Sequence, residues 1–344
     1  MATCNGETYL QEQLDSLCNQ SYLPCELVVG DDRSTDATIA ILEAFSRRAP
    51  FPVRIVRNTA KLGYGENFLH TASKCSGDWI AFCDQDDIWL PHKLERCANA
   101  IRRDASLVLV LQNATLVDES LNRRGDLFPN AIAPGTYQTN TQYGFWVWLG
   151  FLQTVRSSII GEFDFHDRPP NYFPLQAVQS HDKWTCMLAN ALGGICVQGE
   201  SVALYRRHEH SLTGAYTRKA LSHRIDQAIS TGARHYRFLS DVAARSSSAL
   251  RRLGRTTVHA DWSDRLNKGA DKFDQVSQVQ ARRAQLYESV DLLGRLWRFS
   301  TLWLVGGYVG SKFAAMGWRS AVKDAAVTLF GERGLVWVNE FRSE

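Results

Sequence analysis

The chain has 344 residues, enough for one large domain or two of ordinary size. A hydrophobic content of 44% and a charged content of 22% fit a globular protein, and no apolar run approaches the roughly 18 residues a membrane span needs. The net charge of +3 hides an asymmetry: residues 1–204 carry 16 Lys/Arg against 23 Asp/Glu, whereas 205–320 carry 20 against 9. A basic block of that size points to an anionic partner such as a membrane surface or a lipid phosphate. No nucleic-acid-binding motif accompanies it, so no nucleic acid partner is expected. The eight cysteines form no CxxC pair, and the N-terminus MATCNGETYL is not a signal peptide. Both features read as a cytoplasmic protein with reduced thiols.

In chain order, Leu10, Leu14 and Leu17 recur at helical spacing. Glu26–Gly30 (ELVVG) is a short buried strand ended by Asp31 and Asp32. Ser34-Thr35-Asp36 opens a helix that carries Ile39, Leu42 and Phe45. Residues 53–57 alternate as a strand, Gly63 and Gly65 mark a loop, and 66–75 returns to helix. Residues 79–83 form a third strand, followed at once by Asp84, Gln85, Asp86 and Asp87; Pro91 then opens another helix. The alternation predicts an α/β domain whose sheet is flanked by helices. In such a sheet the strand ends share one edge, so the two acidic clusters should face one crevice. Carboxylates this close repel one another unless a cation sits among them. A hard divalent ion, Mg²⁺ or Mn²⁺, shared with substrate phosphates answers that need. Neither GxGxxG nor GxxxxGK[ST] occurs, so the phosphates would not rest in a glycine-rich cradle.

ATCNGETYLQEQLDSLCNQSY, ELVVGDDRSTDAT, LGYGENF and GDWIAFCDQDDIW, in that order, resemble glycosyltransferase family 2, nearest its bacterial rhamnosyltransferase-like branch. The resemblance covers roughly residues 2–214. It implies a GT-A fold with a mixed central sheet and a nucleotide-diphosphate sugar as donor. By position, Thr3, Asp31 and Asp32 would meet the nucleoside. Asp84 would lie near ribose and metal, and Asp86 would be the metal ligand proper. Family members begin with about five apolar strand residues ahead of the equivalent of Ala2-Thr3; this sequence opens at Met1, so the first strand is expected to be truncated.

Residues 107–112 (LVLVLQ) read as a buried strand, 115–126 as a polar hairpin, and 143–151 (YGFWVWLGF) as an aromatic segment. There the resemblance places Gly150 beside an acceptor sugar. Residues 180–192 (SHDKWTCMLANAL) open a helix with His181 and Asp182. From the residues alone, Asp182 is a helix-capping carboxylate. From the resemblance it is the catalytic base of an inverting enzyme, with His181 positioning it. A carboxylate, ionised at neutral pH, can take a hydroxyl proton as that oxygen attacks. Arg206, Arg207 and His208 match a YRxH element, and cations there would neutralise a departing diphosphate. The loop beyond, with His210 and Ser211, departs from the family pattern.

The sequence divides into a catalytic domain over 1–214 and a basic helical domain over 215–344. In the latter, 217–250 is helical, with Leu221, Ile225, Ala228, Tyr236 and Leu239 on one stripe. Residues 254–268 read as a polar linker and 271–299 as a second long helix. Residues 295–319 mix tryptophans with arginines, a composition suited to a peripheral contact with the inner leaflet. Two functions follow: an inverting, metal-dependent transferase moving a sugar, rhamnose from dTDP-rhamnose by the branch resemblance, to a glycan or lipid-linked acceptor; or a non-catalytic assembly protein docking partners through its C-terminal helices.

Overall fold

A computed structural model describes residues 1–128, 133–172, 175–208, 232–310 and 313–340, with backbone alone for 172, 175–177 and 332–340. It divides into two compact units. One comprises 1–139, 147–166 and 179–217; the other comprises 140–146, 167–178 and 218–344.

The first unit opens with β1 (Ala2–Thr3), α1 (Leu10–Cys18), β2 (Leu27–Asp31), α2 (Thr38–Ser46), β3 (Val53–Arg57) and α3 (Tyr64–Ala72). These three strands form a parallel sheet in the order β1-β2-β3. β2 is buried along its whole length, as its unbroken apolar run requires of a strand covered on both faces. Then follow β4 (Trp79–Ala81), β5 (Ile88–Trp89), α4 (Lys93–Arg103), β6 (Leu107–Val117), β7 (Arg123–Asp126), β8 (Gly135–Tyr137), β9 (Gln153–Arg156), the short α5 (Ser158–Gly161), α6 (His181–Leu192) and β12 (Gly194–Arg206), with β10 (Pro170–Tyr172) and β11 (Leu175–Val178) intervening as a hairpin of the second unit. The larger sheet runs β4-β9-β6-β12-β5, with β7 on β6 and β8 on β12. β6 and β12 are parallel and the other pairings antiparallel, so the sheet is mixed. The strand read over 107–112 continues to Val117 and turns into β7, which places the expected hairpin.

β1 holds only two residues. It pairs with β2 on one side, while the Ala2 amide donates to the Cys83 carbonyl at 3.3 Å on the other. Beyond Met1 an apolar slot of about 440 Å³ lies between β2 and β4, lined by Leu27, Val28, Trp79 and Ile80 among others. All eight cysteines are free thiols.

In the second unit α7 (Ala233–Thr256) and α8 (Ala260–Glu288) pack along each other, followed by α9 (Leu292–Leu304) and α10 (Gly317–Glu340), the last kinked at Gly331. Two expectations are corrected here. The linker over 254–268 shrinks to 257–259, because Leu266 and Ala270 are buried and extend the helix toward its N-terminus. The single helix over 271–299 is two, because Asp291 accepts from the Gly294 amide at 2.6 Å and caps a new helix. Leu221, Ile225, Ala228, His210 and Ser211 lie outside the described residues. Asp324 is fully buried and ties the unit together. It receives Arg283 at 2.8–3.0 Å and the hydroxyls of Tyr287 and Tyr308 at 2.8 Å. With every partner present, the buried pair is satisfied; removing one would leave an uncompensated charge.

Candidate active site

The carboxyl ends of β1, β2 and β4, the start of α6 and the end of β12 surround a pocket of about 980 Å³ within the first unit. Thr3, Asp32, Asp84, Asp86, Asp182, Arg206 and His208 all line it. Residues up to 205 apart in sequence thus meet where the strand-edge rule for open sheets puts a ligand.

Asp84, Asp86 and Asp87 each offer an oxygen, all within 4.8 Å of one another. Asp87 is fully buried; its Oδ1 accepts the Arg206 amide at 3.2 Å, while its Oδ2 meets no hydrogen-bond partner. Burial first, then repulsion from Asp86 and Asp84, pushes Asp87 well above the usual carboxylate range. Burial, then Asp86 and then Asp182, pushes Asp84 up to about 8. Three clustered carboxylates with an orphaned buried oxygen fit a hard divalent cation, whose oxygen ligands sit about 2.0–2.6 Å from it. On the other side of the cluster His208 Nε2 lies 3.0 Å from Asp86 Oδ2. Lys93, fully buried and pulled down to about 8 by desolvation, donates to Gln112 Oε1 at 2.9 Å and adds a positive charge near Asp87.

A second wall of the pocket comes from the N-terminal loop and the end of β2. Asp32 accepts the amides of Leu62 and Gly63 at 2.7 and 2.8 Å and the Asn58 side chain at 3.1 Å, so its carboxylate fixes the 58–63 loop. Gly63 there has φ +83°, a conformation glycine adopts without strain. Asp31 does not line the pocket. Its buried carboxylate accepts the Thr3 hydroxyl at 3.1 Å and the Ser34 amide at 3.0 Å. Arg207, just past the end of β12, does not line the pocket and donates its amide to the Val117 carbonyl at 3.1 Å, whereas Arg206 lines it. There Arg206 pairs with Glu12 and lies 4.4 Å over the Tyr9 ring.

α6 begins with Ser180 at its cap, so Asp182 sits in the first turn and not at the cap. Its Oδ1 accepts the Lys183 amide at 2.8 Å and the Ser180 hydroxyl, and the Tyr64 hydroxyl also bonds Ser180. His181 lines the pocket but is otherwise buried. Phe68 stacks on it at 4.1 Å and Phe82 meets it edge-on at 4.9 Å. A β-carbon on Gly150 would stand 2.1 Å from His181 Nε2. Gly150 therefore serves the close approach of its backbone to His181 while also lining the pocket. Of the aromatic segment around it, Trp148 is core and donates to the Gln112 carbonyl at 2.6 Å.

Two residues had no sequence signal. Gln85 sits between the acidic residues and binds Cys4 as a strand neighbour would. It accepts the Cys4 amide at 2.9 Å and donates to the Cys4 carbonyl at 3.1 Å, joining the N-terminal loop to the acidic cluster. Glu12, on α1, holds Arg206 from 194 residues away in sequence.

Residues 1–157 match the family model described as Glycosyl transferase family 2. The dTDP-rhamnosyl transferase RfbG of Shigella flexneri is 35% identical over 229 residues, covering 62% of this chain and 74% of that protein. An uncharacterized protein of Mycobacterium tuberculosis is 28% identical over 217 residues, 62% of this chain and 59% of its own length, so this chain spans about three fifths of that relative. Among solved structures, TarS 1-349 of S. aureus in complex with UDP-GlcNAc matches with a TM-score of 0.54 at 18% identity, covering 88% of this chain and 79% of that one, a likeness of fold.

Proposed function

The chain belongs to glycosyl transferase family 2, with a GT-A fold followed by C-terminal helices, and from that premise we propose that it is an inverting transferase acting on a nucleotide-diphosphate sugar. The observation that carries this reading is the meeting of Asp182 with Asp84 and Asp86 in one pocket, close enough that Asp182 helps raise Asp84.

Asp182 is the base. It receives the proton of an acceptor hydroxyl as that oxygen attacks the anomeric carbon opposite the leaving diphosphate, so configuration inverts. Ser180 and the first-turn amide of Lys183 hold the carboxylate in direction, and His181 under Gly150 fixes the start of α6. Thr3 and the loop tied to Asp32 receive the nucleoside, with Asp31 behind them. Asp86 and Asp84, backed by Asp87, would hold Mg²⁺ or Mn²⁺, which when bound supplies positive charge beside the diphosphate. Arg206 adds positive charge at the same end, pre-placed by Glu12 and Tyr9, and His208 stands beside it against Asp86.

The similarity to RfbG supports dTDP-rhamnose as donor and a growing surface polysaccharide as acceptor. If the acceptor is lipid-linked, the reaction takes place at the inner face of the cytoplasmic membrane, with residues 1–214 as the catalytic domain and 215–344 as the part beside the bilayer. A screen of nucleotide sugars for metal-dependent release of nucleoside diphosphate tests the proposal. Release from dTDP-rhamnose above the other donors is expected; no release from any donor, with metal present, would count against a transferase.

A further inference from the structure

α9 is apolar on its outward face as well as its inward one, unlike an ordinary surface helix. Arg295, Phe299 and Leu302 face inward, with Phe299 and Leu302 packed in the core of the helical unit. Outward, Leu293, Trp297 and Leu304 recur at the spacing of one helix face, 79%, 70% and 82% exposed, with Leu296 and Trp303 beside them. α10 repeats the pattern, with Trp318, Val322 and Leu329 exposed while Ala321, Asp324 and Val327 are buried. Large apolar side chains left exposed on two helices that pack together in one unit mark a contact surface.

Charge selects the occupant. Between Asp291 and Asp324 the sequence holds five basic residues and no carboxylate. Of these, Arg295 is spent on the carbonyls of Val290 and Thr328, whereas Arg319 is exposed beside Trp318 and Arg298 is half-exposed. A second copy meeting this face isologously would bring two faces of the same positive sign together. No described helix is long and apolar enough to cross a membrane, and α9 spans only 13 residues. Tryptophan and leucine on one face with arginines at the margin suit a helix lying in the headgroup region of an anionic bilayer.

We propose that the outward faces of α9 and of the first half of α10 are a peripheral docking surface for an anionic lipid bilayer. This deepens the reading of a lipid-linked acceptor by naming the residues that would meet the membrane. Titration of nucleotide binding in solution reports on the transferase reading separately.

The test is flotation of the whole chain with phosphatidylcholine vesicles, with and without phosphatidylglycerol, at low salt. Binding to the anionic vesicles and a blue shift of tryptophan emission are expected. Trp297→Ser with Leu304→Ser should weaken binding about tenfold while leaving thermal stability and nucleotide binding unchanged. Arg298→Glu with Arg319→Glu should weaken it on anionic vesicles. Flotation of the serine double variant like the parent, equal binding to both vesicle types, or failure to float with either would overturn the proposal. So would a light-scattering oligomer that the serine double variant breaks without any vesicle binding.

Discussion

Gly150 and His181 are packed so closely that no β-carbon fits between them: one on Gly150 would stand 2.1 Å from the imidazole Nε2. The ring is held from elsewhere by Phe68 and Phe82, so it cannot retreat without breaking that stack. Asp182 is the next residue. The backbone of the 3₁₀ turn Gly150–Leu152 thereby sets the direction of the proposed base.

Gly150→Ala should therefore cost about 1–3 kcal/mol of stability, as overpacking does, and lower turnover as α6 shifts. Thermal melts and steady-state rates check this. A variant as stable and as active as the parent would show that His181 has room to move.

Asp182→Asn keeps the shape but cannot accept the proton. Turnover should fall by about 10²–10⁴-fold with donor affinity nearly unchanged. Unchanged turnover would remove Asp182 from the chemistry.

The acidic cluster gives a pH dependence of definite sign. Asp84 rises from 3.8 to about 8, so the folded chain keeps a proton that the unfolded chain releases. Its contribution to stability is full below the unfolded value and is lost as pH climbs toward 8. A divalent ion must displace that proton. Apparent Mn²⁺ affinity should rise by up to about tenfold per unit from pH 6 to 8 and then level off. Calorimetry at several pH values measures it, and a flat profile contradicts the assignment.

The slot between β2 and β4 predicts a stabilising change. Because β1 runs parallel to β2, residues placed ahead of Met1 would continue along Val28 and Leu27. An extension of about five Val/Ile residues should add on the order of 3 kcal/mol by apolar burial and raise Tm by about 5 °C. A Gly/Ser extension of equal length should not. Equal melts for both would mean the slot does not take a strand.

Periodicity made the α/β order legible because each strand and helix announces itself locally: ELVVG, Val53–Arg57 and the leucines of α1 need no distant partner to be read. The strand-edge rule then located the acidic pocket. Three things escaped. Neighbours in sequence read as one cluster, yet Asp31 is turned to Thr3 and Ser34, and neither it nor Arg207 lines the pocket. The polar composition of 260–270 hid a helix whose buried face is narrow. Glu12–Arg206 and Arg283–Asp324 are pairings across long stretches of chain, and nothing local to either partner encodes them.

The central claim is that Asp86 and its neighbours hold the cation against which a nucleoside diphosphate binds. Calorimetric titration of dTDP, with and without Mn²⁺, into the parent chain and into Asp86→Ala tests it most directly. Tight binding is expected only with Mn²⁺ in the parent, weakened on the order of 10²-fold in the variant. Equal binding by both chains, or binding indifferent to the metal, would contradict it.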